Sequence, residues 1–368
     1  MAIYVWGYLK EFAEEKEEIL EAVTGVLESG KLVLGPNVSA FEEEFAQYCG
    51  VSFGIGVDNG TNSITLALRA LGVKPGDEVI TVSNTAVPTV SAIVSAGATP
   101  VFVDIDQETY LMDVALIENA ITEKTTCIVP VHLYGQCVDM GKLNDIAGKH
   151  GLKVLEDCAQ AHGATQNGKV AGSMSDASSF SFYPTKILGA YGDGGMILTS
   201  SQSVQEKLKR LRFYGMESTY YAVEHGFNSR LDEMHAAILR KKLVHLDTYI
   251  QKRRDIAQMY DELLADTELI LPVTADDNFH AYYLYVVRHP KRDEIMEKLK
   301  KREIFLNISY PWPIHTMTGY AHLGWEEGSL PNTEAAAKEI FSLPMFPTLE
   351  KADVEEVCVA LKEIMNDL

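Results

Sequence analysis

From Phe53 to Glu156, short apolar runs alternate with longer amphipathic ones, and this pattern constrains the fold more than any other feature of the chain. Phe53–Val57, Glu78–Val82, Val101–Val103, Cys127–Val131 and Lys153–Glu156 read as strands. Ile64–Leu71, Ala86–Ala96, Leu116–Ile121 and Met140–His150 read as the helices between them. Short apolar strands separated by helices imply an α/β fold with a mostly parallel sheet covered on both faces. Ligands of such sheets bind beyond the carboxyl ends of the strands. The polar residues that follow each strand are therefore the first candidates for function.

The flanking segments extend this core. Residues 8–29 predict a helix with Leu9, Phe12, Ile19, Leu20, Val23 and Leu27 mostly on one face. Residues 38–48 predict a second helix. After residue 200, helical patterns cover 203–213 and 231–260, with an aromatic loop at 214–230 between them. Strands are expected at 281–287 and 305–308, and helices at 292–301, 333–341 and 352–366. The organisation implied is a large domain over 1–245 and a smaller C-terminal α+β domain over 246–368. A chain of 368 residues, 46% hydrophobic, can fill two cores. Its net charge of −20 argues against a general nucleic-acid or anionic-membrane surface. No apolar run is long enough to span a bilayer, and the N-terminus lacks the pattern of a signal peptide. The five cysteines are scattered and form no Cys-x-x-Cys pair. That suggests neither a zinc site nor a disulfide framework, and fits a reducing, cytoplasmic setting.

Several residues could carry chemistry. Ser178 to Lys186 alternates hydroxyl and aromatic residues, stops at Pro184 and presents Lys186 before a glycine-dense loop. A lysine held dry there is a usable amine nucleophile, although a surface lysine beside a turn reads equally well. Gly60-Thr61-Asn62 lies between a strand and a helix, where backbone amides and a hydroxyl can hold an anion; a plain helix cap is the commoner outcome. Asp157 ends a buried strand and could pair with a cationic ring nitrogen, or simply cap a helix. Gln160 and His162 stand close behind it, His162 equally readable as a satisfied polar residue at the core edge. Arg230, before the long helix, could clamp a carboxylate or lie solvated. Gly163 to Lys169 has the spacing of a P-loop, but Val170 stands where a hydroxyl residue must hold magnesium. Cys127, His132 and Cys137 lack metal-ligand spacing. Together a lysine, an anion site and a buried carboxylate describe one cofactor, pyridoxal phosphate, which needs an amine for its aldehyde, amides for its phosphate and a carboxylate for its pyridinium.

The order of motifs sharpens this. Val33-Leu34-Gly35-Pro36, Asn59-Gly60-Thr61-Asn62, His132-Leu133-Tyr134-Gly135-Gln136, Glu156 to Gly163, the Lys186 stretch, Asn228 to Glu233, Tyr310 to His315 and Ser342-Leu343-Pro344 run through nearly the whole chain. In this order the chain resembles the DegT/DnrJ/EryC1/StrS family of sugar aminotransferases, of the aspartate-aminotransferase (type I) fold. The resemblance implies that Lys186 is the Schiff-base lysine, that Asp157 holds the pyridine nitrogen protonated and that Gln160 contacts the ring oxygen. Gly60, Thr61, Asn62 and Ser181 would form the phosphate site. Asn228 would reach the phosphate of a neighbouring subunit's cofactor, so a homodimer with shared active sites is implied. Arg230 would lie near the carboxylate of an amino donor, taken as glutamate, with Tyr310 and His315 near a nucleotide-sugar pocket. The closest look is to 3-aminotransferases of dTDP-3-keto-6-deoxyhexoses; 4-keto sugars and cyclitols are the alternative substrates. A non-catalytic cofactor-binding regulator is the rival from another class. Where many members carry an aromatic residue to stack on the ring, this chain has Ala86.

Overall fold

The computed structural model describes residues 2–368. A seven-stranded sheet forms its centre, built from β1 (Phe53–Val57), β2 (Glu78–Val82), β3 (Thr99–Val103), β4 (Thr125–Ile128), β5 (Lys153–Asp157), β6 (Ala177–Ser181) and β7 (Gly195–Thr199). The spatial order is β1-β7-β6-β5-β4-β2-β3. Every pairing is parallel except those of β7, which runs antiparallel to both β1 and β6. Each strand is buried along nearly its whole length, as a sheet covered on two faces requires. Ile55, Val79 and Leu155 join one apolar cluster with the helix Gly60–Ala70. Ile80, Val154 and Phe180 join another with the helices Pro36–Cys49 and Glu233–Leu243. A separate core gathers Tyr260, Tyr285, Leu299, Phe341 and Leu361 toward the C-terminus, together with Ile3 from the other end of the chain. Ile3 reaches it because Ile3–Tyr4 pairs in parallel with Ile304–Phe305.

The alternating region follows the sequence pattern closely; the rest departs from it in several places, among them a hairpin of Met216–Ser218 and Tyr221–Ala222 inside the expected loop at 214–230. The expected helix over 231–260 is two helices, Glu233–Leu243 and Leu246–Leu264, separated at exposed Val244. The strand expected at 281–287 begins only at Tyr285. Before it, Ala281 and Leu284 donate their amides to the carbonyls of Gly135 and Tyr134, so this stretch is tied to the loop after β4. Gly135 permits that approach: its φ is +115°, and a Cβ there would stand 2.8 Å from the amides of Tyr282 and Tyr283. The strand expected at 305–308 is the short Ile304–Phe305 instead. The helix expected at 333–341 ends at Glu339, and Ile340–Leu343 is a strand paired with Tyr285–Arg288. The first helix, Tyr8–Ser29, is as expected in extent, but only Ile19 and Val26 are buried, whereas Leu9, Leu20 and Leu27 lie exposed.

Candidate active site

At the carboxyl ends of β1, β5 and β6 lies a cavity of about 500 Å³. Gly60, Thr61, Asn62, Asp157, Gln160, Ser181 and Lys186 all line it. Seven of the residues singled out from sequence thus meet in one place, although they are spread from position 60 to position 186 of the chain.

The helix Gly60–Ala70 starts directly after β1, and Asn59 caps it by accepting the amide of Asn62 at 2.8 Å. The first amides of a helix have no partner within it. The Asn59 carbonyl takes Ser63 N–H, which leaves the amides of Gly60 and Thr61 at the positive end of the helix, beside the cavity. A Cβ on Gly60 would come within 2.7 Å of Ser181 Cβ, so glycine lets the helix start lie against β6. The Asn62 side chain does not end in the cavity alone: its amide donates to Asp58 at 2.7 Å, and the other Asp58 oxygen takes the Ser229 hydroxyl at 2.5 Å. Lys186 stands half-buried with its Nζ 4.5 Å from the centre of the Tyr283 ring.

Asp157 is buried at the end of β5. Its Oδ2 accepts the Thr89 hydroxyl at 2.8 Å and its Oδ1 the Ala159 amide at 3.1 Å. Burial pushes its carboxyl above the usual range; Thr89, Ala159 and the nearby Lys186 charge pull it back only in part. A dry carboxylate of this kind gains most from a cation brought beside it. Gln160 is held from two sides. Its Oε1 accepts Tyr134 N–H at 2.8 Å and its Nε2 donates to the Tyr310 hydroxyl at 2.5 Å. Both tyrosines adopt the left-handed backbone region, φ 59° and 70°, and such strain clusters at functional sites.

The other expected site residues lie elsewhere. His315 is buried between Ser83 Oγ (2.8 Å from Nδ1) and Glu334 Oε1 (3.1 Å from Nε2), so both ring nitrogens are taken. Tyr310 meets the site through Gln160. Asn228 is exposed and pairs with Phe213, outside the cavity. Arg230 lies in a second cavity of about 840 Å³ with Glu217 and Tyr220, its guanidinium 5.2 and 5.7 Å from the rings of Phe213 and Tyr214. His162 fits neither sequence expectation. Neither ring nitrogen has a hydrogen-bond partner among the described residues, and the ring packs against Phe180 and Phe182. Burial, reinforced by the Lys186 charge, pushes its pKa down to about 3, so the ring is neutral.

Two features escaped the sequence. Thr85 and Thr89 line the cavity, one just before the helix Val87–Ser95 and one in its first turn, so no single periodicity marks them as a pair. Glu156 and His132 make a closed structural network. His132 Nδ1 accepts Val138 N–H at 3.1 Å, so its proton sits on Nε2 and is donated to Glu156 at 3.0 Å. Glu156 also accepts Gly172 N–H at 2.8 Å, Met174 N–H at 2.9 Å and the Ser175 hydroxyl at 2.7 Å. Cys158 adjoins this pair, but the saturated His132 and Glu156 have no lone pair turned to a metal ion.

A mostly parallel sheet that brings a lysine, a buried carboxylate and a helix N-terminus around one cavity is the arrangement of a fold-type I pyridoxal-phosphate enzyme. The chain belongs to the DegT/DnrJ/EryC1/StrS aminotransferase family, whose sequence profile matches residues 13–362. It is 56% identical to dTDP-3-amino-3,4,6-trideoxy-alpha-D-glucose transaminase of Micromonospora megalomicea subsp. nigra, with 100% of both chains covered. It is 45% identical to a protein of Geobacillus stearothermophilus called pleiotropic regulatory protein, over 96% of each chain. The crystal structure of Streptomyces venezuelae DesV in complex with a ketimine intermediate superposes with a TM-score of 0.97 at 41% identity, covering 98% of both chains.

Proposed function

We propose that the cavity holds pyridoxal phosphate and that the protein transfers an amino group from L-glutamate to a dTDP-linked 3-keto-6-deoxyhexose, a step of deoxyamino-sugar biosynthesis. The observation that carries this reading is the convergence of Lys186, Asp157, Ser181 and the Gly60–Thr61 amides in one cavity. The donor set fits the cofactor: amides and hydroxyls for a phosphate, an ionisable carboxyl for a ring nitrogen and an amine for an aldehyde. The substrate rests on the likeness to the Micromonospora enzyme across the full length of both chains.

When bound, the cofactor supplies an aldehyde that takes up amino groups and a ring that accepts electrons. The protein does the rest. Gly60, Thr61, Asn62 and Ser181 anchor the phosphate. Asp157 holds a proton on the ring nitrogen, and Gln160, fixed by Tyr134 and Tyr310, faces the ring oxygen. Lys186 takes the proton from the α-carbon of the amino donor and serves as general acid–base in both halves of the exchange. Ala86 lines the same cavity, at the position where many members of the family carry an aromatic residue. Asn228 and Arg230 act from a partner chain, in a homodimer with shared active sites. Residues 1–245, apart from the Ile3–Tyr4 strand that joins the C-terminal core, form the cofactor-binding part and 246–368 the smaller part, in a cytoplasmic enzyme.

The test is optical and then chemical. Protein loaded with pyridoxal phosphate should absorb in the visible, and L-glutamate should bleach that band. Incubation with ¹⁵N-glutamate and a panel of dTDP-linked 3-keto and 4-keto sugars should label a 3-amino product, read by mass. Lys186→Ala should bind cofactor and give no product; normal turnover by that variant removes Lys186 from its role. A protein that colours but reacts with no amino donor would instead be a regulator.

A further inference from the structure

Asp157 does not stand alone in the cavity wall. Its Oδ2 is 2.8 Å from Thr89 Oγ1, and Thr89 Oγ1 is 3.0 Å from Thr85 Oγ1. All three side chains are buried. We propose that Thr89, backed by Thr85, is a positioning residue that fixes the Asp157 carboxylate toward the ring nitrogen of the cofactor; this rests on the pyridoxal-phosphate reading above.

The direction of the bonds follows from the chemistry of the groups. An ionised carboxylate can only accept, so the single proton of Thr89 points at Oδ2. Thr89 can then only accept from Thr85, whose proton completes an ordered run from Thr85 through Thr89 to Asp157. Hydroxyls aligned in this way polarise one another. With Oδ1 fixed by the Ala159 amide at 3.1 Å, the carboxylate is held at both oxygens, and each keeps a lone pair for a further donor. The fold builds the relay cheaply. The helix Val87–Ser95 begins with Pro88 in its first turn; Thr89 lies in that turn and Thr85 just before the Ala86 cap, so the two hydroxyls meet across the helix start. The Thr89 amide also bonds the Ala86 carbonyl at 3.1 Å, which fixes the backbone from which its hydroxyl projects. Thr89 is the largest influence opposing the cost of burying Asp157.

The experiment compares binding of pyridoxal phosphate with that of its 1-deaza analogue, in which carbon replaces the ring nitrogen. Dissociation constants are measured by absorbance for the wild type, Thr89→Val and Thr89→Ser. The wild type should prefer the natural cofactor. Thr89→Val should weaken it by about ten-fold or more, the size of a hydrogen bond to a charged group, and leave the deaza analogue unchanged. Thr89→Ser, which keeps the hydroxyl, should restore the preference. Equal weakening of both ligands by Thr89→Val means that Thr89 only packs, and no weakening of either means that the hydroxyl is idle; each overturns the proposal. A wild type that binds both ligands equally would remove the pairing of Asp157 with the ring nitrogen itself, a failure of the underlying reading visible without any variant. Should Thr89→Val not fold, Thr85→Val interrupts the same relay one hydroxyl further back and should show a smaller loss confined to the natural cofactor.

Discussion

Glu156 and Asp157 are neighbours on one strand, both carboxylic acids and both buried, yet their environments drive them apart. Burial raises both groups. For Glu156 it is overcome by His132, the Gly172 amide and the Ser175 hydroxyl, and its carboxyl falls below the usual range. For Asp157 two donors and the Lys186 charge do not suffice, and its carboxyl stays high. The cause is the two-residue period of a strand, which turns successive side chains to opposite faces. One face meets a loop able to saturate a carboxylate, and the other meets a cavity. A buried carboxylate with every lone pair filled is a structural part. One left short of donors is waiting for a ligand, and environments that push two titratable groups apart are how acid and base roles are divided.

The sharpest way to break this comparison is to remove each charge in turn. Asp157→Asn keeps the shape, and Thr89 can accept from the new amide. The cost should fall on function, about 2–5 kcal/mol of transition-state stabilisation, or roughly 30-fold to several thousand-fold in kcat/KM, as for one partner lost from a buried charge pair. Steady-state kinetics at saturating cofactor checks this, with circular dichroism to show an unchanged fold. Activity within a few-fold of the wild type would mean that Asp157 meets no cation.

Glu156→Gln should do the reverse. Either orientation of the new amide sets its NH2 against at least one backbone N–H, that of Gly172 or of Met174. We expect about 3 kcal/mol of lost stability by urea unfolding, with activity per folded molecule close to that of the wild type. A stable but inactive variant would move Glu156 into the chemistry.

The pH dependence of stability separates the pair again. The folded pKa of Glu156 is depressed, so its contribution is present above the ordinary value of about 4.3 and is lost as the pH falls through the folded value. That of Asp157 is raised, so in the cofactor-free protein its contribution is present below about 3.9 and is lost as the pH rises through the folded value. Cofactor-free Asp157→Asn should therefore gain on the wild type from pH 4 toward pH 8, while Glu156→Gln should stay at its full deficit until the solution is acid. Urea titrations across that range read both trends, and parallel curves for the two variants would erase the distinction.

How far the sequence reaches is itself explained by this strand. Its position and the exposure of Asp157 to a ligand site were legible, because a short apolar run followed by a polar residue is what a parallel sheet demands. The role of Glu156 was not, because its partners come from His132 and from residues 172–175, and nothing in a linear pattern brings them together. The same holds for the partners that fix Gln160, Tyr134 and Tyr310. The left-handed backbone of Tyr134 and Tyr310 carries no residue signature, since glycine or asparagine would be the usual choice there. Arg230 and Asn228 were legible as polar residues before a helix, but within one chain they lie apart from the cavity. The uncovered leucines of Tyr8–Ser29 depart from the pattern for a related reason: amphipathic spacing marks an apolar face without saying whether the fold covers it.

The smallest expected effect tests the neutral side of the cavity against the charged one. Tyr310→Phe removes the hydroxyl that Gln160 Nε2 reaches at 2.5 Å, yet keeps the ring, which stacks on Tyr134 with centroids 6.4 Å apart. Gln160 remains held by the Tyr134 amide, so one neutral hydrogen bond is at stake, worth about 1 kcal/mol, or roughly five-fold in cofactor affinity. Absorbance titration of the variant measures it. The loss should appear equally with the 1-deaza analogue, because Gln160 faces the ring oxygen and not the ring nitrogen. If the loss instead follows the ring nitrogen, Tyr310 belongs with Asp157 and Thr89, and the division of the cavity into a charged wall and a neutral one is wrong.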